Sequence, residues 1–213
     1  MENIQIKTID GLVLSGTLWD RGGNKSALLL HAMPETKESW EELADELYMK
    51  GVNVLAIDFR GHGKSEGAPY KDQTSKDIQG YFLDARAGLN FLEEKYQHAN
   101  FVLAGASIGA NIALQAMAHD HAIKKGVVLS PGIDYYGVKA IDFVRELSPD
   151  QEVMFVASID DARVENNSEM TGDLFSNCSS KKHKRILKQG GHGTSILSNN
   201  EDVFFETVDF LLK

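Results

Sequence analysis

The sequence predicts a three-layer α/β/α sandwich built on a mostly parallel, eight-stranded sheet. Strand-like and helix-like patterns alternate along most of the chain, which is typical of consecutive βαβ units. Several strand-like runs, such as residues 27 to 30, are apolar throughout, as expected for strands covered by helices on both faces. With 213 residues and 42% hydrophobic content, the chain can bury one sizeable core, so we expect a single domain over residues 1–213.

The first two strands are predicted to form an antiparallel hairpin at the sheet edge. Residues 3 to 9 and 12 to 18 alternate in polarity around the turn signal Asp10-Gly11. Further strands are expected near 26 to 31, 52 to 58, 100 to 105, 126 to 130, 152 to 158 and 183 to 188. Helices are expected near 36 to 50, 74 to 97, 108 to 120, 138 to 147, 163 to 175 and 201 to 212.

Polar residues accumulate after these strands, where the loops of a parallel sheet carry functional groups. The loop after residues 52 to 58 is rich in glycine, and its Asp58 and Arg60 could pair to hold it. After the run 101 to 104, Gly105 and Gly109 frame Ser107 where a strand gives way to a helix. This is the context of a strained turn that exposes a serine hydroxyl above the sheet. The amide of Ile108, at the helix N-terminus, would then be free to donate to an oxyanion.

A nucleophilic serine needs a base, and seven histidines are candidates. Four lie on predicted helix surfaces or ends or at strand edges, where a solvated histidine is usual: His98, His119, His121 and His183. His31 follows a buried strand, where a packing or hydrogen-bonding role is more common, and His62 could approach the site from its glycine-rich loop. His192 lies between glycines after the final strand, where the loop can bring its imidazole over Ser107. We therefore predict His192 as the base.

The acid is predicted at the end of the strand at 152 to 158, where two adjacent aspartates compete. Asp161 precedes Arg163 and the start of a helix, so it could serve either as the acid or as the N-cap of that helix. We favour Asp161 and keep Asp160 as the alternative acid. With either residue, the chain order is Ser, Asp, His.

In these motifs and their order, the chain resembles the α/β-hydrolase superfamily over essentially its whole length. The matching segments are His31-Ala32-Met33-Pro34, the loop from Asp58 to Ser65, the turn around Ser107, and the loops of Asp161 and His192. The resemblance implies an α/β-hydrolase fold and an oxyanion hole formed by the backbone amides of Met33 and Ile108. Two departures from the family are visible, since His31-Ala32 replaces the usual His-Gly and Ser158-Ile159-Asp160-Asp161 replaces Gly-x-x-Asp. Aligning the trailing Asp-x-x-Val with residues 161 to 164 favours Asp161 as the acid.

The resemblance also implies an open site. Many members carry a lid between the sixth strand and the next helix, whereas residues 131–150 leave room only for a minimal cap. Met33, His31, Trp40, Tyr135 and Tyr136 are the expected pocket residues. This compactness is similar to small dienelactone-hydrolase-like or feruloyl-esterase-like serine hydrolases. Dienelactone hydrolase itself uses a cysteine as its nucleophile, so the resemblance to it would concern the scaffold and not the chemistry.

The predicted function is serine hydrolysis of carboxylic esters with small or medium acyl or aryl groups, through an acyl-enzyme. The same triad would also suit a thioesterase, an amidase, a peptidase or perhydrolysis. A non-catalytic α/β-hydrolase scaffold is the alternative from another class, and it would be favoured if Ser107, His192 and the aspartates failed to converge.

Composition limits the partners. The formal net charge of −9 argues against nucleic acid and anionic membranes, and the basic run from Lys181 to Arg185 is expected to be a solvated edge. A single cysteine, Cys178, excludes an internal disulfide, and no long apolar stretch is visible, so a cytoplasmic location is expected. The expected partner is a small-molecule ester bound by a monomer or homodimer. Nothing in the sequence calls for a metal or organic cofactor.

Overall fold

One twisted sheet organises the computed structural model, which describes residues 1–97 and 100–213. The strands are β1 Glu2–Lys7, β2 Val13–Trp19, β3 Lys25–Leu30, β4 Asn53–Ile57, β5 Asn100–Ala106, β6 Ile123–Leu129, β7 Glu152–Ser158 and β8 Lys181–Leu187. Their order in the sheet is β1-β2-β4-β3-β5-β6-β7-β8. The pairs β1·β2 and β2·β4 are antiparallel and the other five are parallel. The predicted edge hairpin and the mostly parallel sheet are confirmed.

Helices cover both faces of this sheet. They are α1 Glu41–Met49, α2 Ser75–Gln79, α3 Tyr81–Lys95, α4 Ile108–His119, α5 Ala140–Glu146, α6 Asn167–Asn177, α7 Ser195–Asn199 and α8 Glu201–Leu212. Successive side chains of β3 point to opposite faces of the sheet and pack in two separate hydrophobic cores. Leu28 and Leu30 pack with α3 and α4 on one face. Ala27 and Leu29 pack with α1 and α8 on the other. The predicted three-layer architecture is therefore confirmed.

Several helix predictions differ from the structure at their boundaries. The segment 36 to 50 is a 3₁₀ turn at Lys37–Trp40 followed by α1, and the segment 74 to 97 divides into α2 and α3 at Gly80. The helix expected from 163 begins only at Asn167, because the Asp161 carboxylate holds the amides of residues 163 and 164 in a turn before it. Helix α7 was not predicted, and His98 lies outside the described residues.

The expected pair of Asp58 and Arg60 is wrong. Asp58 is fully buried and its carboxylate accepts hydrogen bonds from the backbone N and the Nζ of Lys37, both at 2.9 Å. The Arg60 guanidinium binds Asp84 instead, at 2.7 Å, and also Asp10 at 2.8 Å. Each of these charges finds its partner on another segment of the fold, so the loop after β4 is tied to the loop after β3 and to α3.

The carboxyl ends of the parallel strands open on one edge of the sheet, where the loops after β3, β5, β6, β7 and β8 meet. The basic run Lys181 to Arg185 lies within β8, the last strand of the sheet. Across the described ranges, no helix is both long and apolar enough to cross a membrane.

Candidate active site

Ser107 lies on a strained turn between β5 and α4. Its backbone adopts φ 54° and ψ −119°, a left-handed conformation that costs a non-glycine residue about 1–3 kcal/mol. A Cβ at Gly105 would lie 2.2 Å from the Gly109 carbonyl oxygen, and one at Gly109 would lie 2.3 Å from the Leu30 carbonyl oxygen. Both contacts are with backbone atoms, so glycine is required on each side of the serine. The turn is further fixed by the Ser107 amide, which donates to Leu129 O at 2.8 Å.

His192 and Asp161 form a buried pair on the loops after β8 and β7. His192 Nδ1 lies 2.6 Å from Asp161 Oδ2, and the two side chains are only 5% and 1% exposed. Because a carboxylate can only accept, the proton between them belongs to Nδ1. The other ring nitrogen, Nε2, is then left as an acceptor, which is the form a general base needs.

The two adjacent aspartates have separate tasks. Asp161 Oδ2 faces His192, while its Oδ1 accepts from the amides of Arg163 at 2.9 Å and Val164 at 3.1 Å. The alternative acid, Asp160, does not reach the imidazole. Its Oδ1 accepts from the amides of Gly190 at 2.9 Å and Gly191 at 3.0 Å.

Asp160 therefore braces the loop that carries His192. The Ser158 hydroxyl also donates to the Asp160 carboxylate. This bond and those from the two glycine amides lower the pKa of Asp160, so the brace is anionic at neutral pH.

Two residues that the sequence analysis did not identify hold the His192 loop from its other side. Ser130, buried and at φ 52°, accepts from the Gly193 amide at 3.0 Å through its hydroxyl. Glu35, in the loop after β3, accepts from the Thr194 hydroxyl at 3.2 Å and from the Arg163 guanidinium at 3.3 Å. Ser130 directly follows β6, so its place at a strand end was a signal. No sequence pattern around Glu35 indicates this role.

Ser107 and His192 line the same cavity, which has a volume of about 170 Å³. Its lining residues are Met33, Ser107, Ile108, Tyr135, Tyr136, Arg163, Val164 and His192. Within the described residues, no hydrogen bond joins Ser107 Oγ to His192 Nε2, although both side chains line this cavity. The backbone amides of Met33 and Ile108 donate no hydrogen bond to any other described residue, which leaves both available to a ligand.

Other cavities lie away from this group of residues. A larger one, of about 680 Å³, lies between β1 and α3 and contains none of the predicted site residues. In the part of the chain that the structure describes, no three His, Cys, Asp or Glu residues are grouped so as to hold a metal ion.

Two of the expected pocket residues, His31 and Trp40, do not line the cavity. His31 is fully buried: its Nε2 accepts from the Phe59 amide at 2.9 Å, so its Nδ1 carries the proton and donates to Ala32 O at 2.8 Å. Burial lowers the pKa of His31 to about 4, so the ring is neutral and joins the loops after β3 and β4. Trp40 is 1% exposed and packs in the core beside α1. Both predictions are wrong because the side chains turn inward, away from the cavity.

The chain is similar to a known protein family and to several characterised proteins and solved structures. Residues 24–171 match the family model described as "Serine aminopeptidase, S33". The match covers more than half of the chain and includes Ser107 and Asp161, and it ends before His192.

Curated relatives include a probable lysophospholipase L2 of Haemophilus influenzae, 30% identical over 54% of this chain and 36% of the relative. A monoglyceride lipase of Rattus norvegicus is 30% identical over 56% of this chain and 39% of the relative. The thiohydrolase aneE of Aspergillus aculeatus is 30% identical over 69% and 45%. The aligned part thus spans less than half the length of each of these relatives.

Solved structures with the same fold cover nearly the whole chain. The esterase Pf2001 of Pyrococcus furiosus superposes with a TM-score of 0.83 at 22% identity, over 99% of this chain and 91% of the other. Est1E of Butyrivibrio proteoclasticus, solved with ferulic acid bound, has a TM-score of 0.80 at 18% identity, over 98% of each chain. At these identities the likeness is one of fold.

Proposed function

We propose that this chain, which belongs to the serine aminopeptidase S33 family of α/β-hydrolases, hydrolyses carboxylic esters of small or medium acyl or aryl groups through an acyl-enzyme intermediate. The observation that supports this most strongly is the buried pair of His192 and Asp161, 2.6 Å apart, beside the cavity that Ser107 lines. The pair supplies a base with a free Nε2, and the turn at Ser107 places the serine side chain at the cavity.

The proposed acylation begins when His192 Nε2 takes the proton of Ser107 Oγ as this oxygen attacks the ester carbonyl carbon. The carbonyl oxygen becomes an oxyanion that accepts from the amides of Met33 and Ile108. Asp161 stabilises the imidazolium. His192 then gives its proton to the leaving alcohol oxygen as the C–O bond breaks, which leaves the acyl group on Ser107.

Deacylation repeats these steps with water. His192 Nε2 takes a proton from the water as its oxygen attacks the acyl carbon, and the same two amides bind the oxyanion. The proton returns to Ser107 Oγ as the acid is released. The protein gains or loses no net proton or electron over the two steps, so Ser107 and His192 return to their starting states.

The cavity volume supports a small acyl or aryl group. A volume of about 170 Å³ is close to that of an apolar protein cavity of about 150 Å³ that binds benzene. A short acyl chain or a single ring fits such a space, and longer groups would extend into solvent. We also propose that residues 1–213 form one domain with a minimal cap at about 131–150, which acts in the cytoplasm as a monomer or homodimer and has no nucleic-acid or membrane partner.

Thioester hydrolysis is the second candidate function. It is favoured by the thiohydrolase aneE, which matches 69% of this chain. The same acyl-enzyme would form, with a thiolate as the leaving group. Comparing rates on a small butyryl thioester and on p-nitrophenyl butyrate separates the two preferences.

The proposed function is tested by hydrolysis of p-nitrophenyl esters of increasing acyl length and by labelling with a fluorophosphonate probe. We expect turnover that falls as the acyl chain outgrows the cavity, and no turnover or labelling in Ser107→Ala. The matched control is Ser176→Ala, because the Ser176 hydroxyl donates only within its own helix, to Gly172 O at 2.8 Å. If folded wild-type protein neither turned over these esters nor took the label, the non-catalytic scaffold would replace this proposal.

A further inference from the structure

A tight turn after β6 brings two tyrosines to the cavity, and the mechanism above does not use them. Tyr135 N donates to Val138 O at 3.3 Å, and Val138 N donates to Tyr135 O at 2.9 Å. Tyr136 and Gly137, the central residues, have φ 55° and φ 88°, the conformation of a type I′ turn. Positive φ is rare for a bulky residue such as Tyr136, so the surrounding contacts must hold this turn.

Asn111 fixes the turn to the helix that follows Ser107. It is fully buried on α4, and its Nδ2 donates to Gly132 O and to Val138 O, both at 2.9 Å. Its Oδ1 accepts from the Gly132 amide at 3.1 Å. Asn111 follows Ser107 by one turn of helix. The Tyr135 side chain and the Ser107 hydroxyl are therefore carried by one rigid unit.

The Tyr135 hydroxyl is held as a donor whose proton is easily redirected. The hydroxyl oxygen accepts from Asn167 Nδ2 at 3.3 Å, and the O–H donates to Ser130 O, also at 3.3 Å. O–H···O bonds normally measure about 2.5–3.0 Å, so the bond to Ser130 is long and weak. Burial, and next the charge of Asp161, raise the pKa of Tyr135. The phenol is thus protonated at any pH at which His192 can act as a base.

The sheet order decides which part of a substrate Tyr135 meets. Strands β3 and β6 flank β5 on opposite sides. Met33, with its available amide, follows β3, whereas Tyr135 follows β6, on the side from which Asp161 and His192 reach the cavity. Because His192 gives its proton to the leaving alcohol oxygen in the proposed acylation, the alcohol portion must lie within reach of His192, on the same side as Tyr135.

We propose that the Tyr135 hydroxyl donates a hydrogen bond to the leaving-group oxygen during acylation, which adapts the site to esters of weakly acidic alcohols. This rests on the proposed function. The transferred proton comes from His192, and Tyr135 keeps its own proton throughout. As the C–O bond breaks, negative charge develops on the alcohol oxygen, and a neutral phenol stabilises it. An alkyl alkoxide is strongly basic and benefits most, whereas p-nitrophenolate disperses its charge and benefits little.

The test is Tyr135→Phe assayed on two butyrate esters, ethyl butyrate and p-nitrophenyl butyrate, which form the same acyl-enzyme. We expect kcat/KM for ethyl butyrate to fall by about 10- to 100-fold, the range for losing one hydrogen bond to a charged group, with p-nitrophenyl butyrate nearly unchanged. Because kcat/KM reports the steps up to acylation, slow deacylation does not mask the effect. Equal losses on both esters, or no loss on either, would overturn the proposal.

A second variant tests the same group without removing the Tyr135 hydroxyl. Asn167→Ala keeps the phenol but removes the donor to the Tyr135 oxygen and, with it, the bond from Asn167 Nδ2 to Pro131 O at 2.9 Å, so we expect a smaller loss with the same selectivity for ethyl butyrate. Thermal unfolding shows whether each variant is folded. Tyr48→Phe is the matched control, since Tyr48 lies on α1 with its ring beside Arg21, away from the cavity, and both rates should stay at the wild-type level.

The outcomes separate this proposal from the proposed function. If Ser107→Ala keeps its activity on p-nitrophenyl butyrate, the proposed function itself is wrong. If Ser107→Ala is inactive but Tyr135→Phe leaves the ratio of the two rates unchanged, only the role of Tyr135 is wrong.

Discussion

Replacing Gly109 by alanine should damage both the fold and the site. The new Cβ would lie 2.3 Å from the Leu30 carbonyl oxygen and 2.6 Å from that of His31, both fixed backbone atoms. An ordinary contact needs about 3.5 Å, so β3 and α4 must separate by about 1 Å. Overpacking of this kind costs about 1–3 kcal/mol, and backbone contacts place this site at the upper end of that range.

The activity of the folded variant should fall as well. Met33 lies three residues after the end of β3, and Gly109 lies in the first turn of α4, two residues after Ser107. Moving these two elements apart by about 1 Å shifts the available Met33 amide relative to the serine hydroxyl. A misplacement of that size costs about 100-fold in rate, so kcat/KM for p-nitrophenyl butyrate should fall by about that factor.

Urea unfolding and ester hydrolysis measure the two effects. The control is Gly172→Ala in α6, where a Cβ would meet nothing within 4 Å. Alanine favours a helix interior over glycine by about 1 kcal/mol, so this variant should be slightly more stable than wild type and fully active. A Gly109→Ala protein with wild-type stability and activity would refute the reasoning, because the packing around the Ser107 turn would then tolerate a side chain.

Three further predictions follow from the site. Asp161→Asn should lower kcat by about 10⁴-fold, because an amide cannot hold the imidazole tautomer and stabilise its cation, whereas an equal loss in Asp160→Asn would contradict the assignment. Asp160→Ala should lower kcat/KM more than Asp160→Asn, because the asparagine side-chain oxygen can still accept from the backbone amides of Gly190 and Gly191, whereas alanine cannot. Equal kcat/KM values for the two variants would mean that the brace is unnecessary. His31 should lower the free energy of unfolding by about 3 kcal/mol as the pH drops from about 6.5 to about 4, because the unfolded chain binds a proton that the buried ring excludes. Urea unfolding at pH 7 and at pH 4.5 checks this, and equal free energies of unfolding would contradict it.

The sequence was sufficient for the parts of the fold and site that depend on local pattern. The alternating apolar runs predicted the sheet and its edge hairpin, because strand and helix periods are properties of neighbouring residues. The glycines on each side of Ser107 indicated the strained turn because the Gly-x-Ser-x-Gly pattern is itself local, although the atoms that exclude a side chain at Gly109 belong to Leu30 and His31 on another segment. His192 was selected by its glycine-rich loop at a strand end.

The errors and omissions concern contacts between distant segments. His31 was placed correctly at the end of a buried strand, but whether its ring faces the cavity or the interior depends on the Phe59 amide. Asp58 and Arg60 are close in the sequence, yet each is paired to a residue on another element. Asn111 and Glu35 carry no local signature, because their partners are chosen by the packing of α4 and of the loop after β3.

Intact-protein mass spectrometry after incubation with a fluorophosphonate tests the central claim most directly, because only an activated serine reacts. The account predicts one adduct per wild-type chain, mapped to Ser107 by peptide analysis, no adduct in Ser107→Ala, and strongly slowed labelling when His192 is replaced by alanine. A folded wild-type protein that takes no label, or takes it at another serine, would contradict the claim that Ser107 and His192 act together.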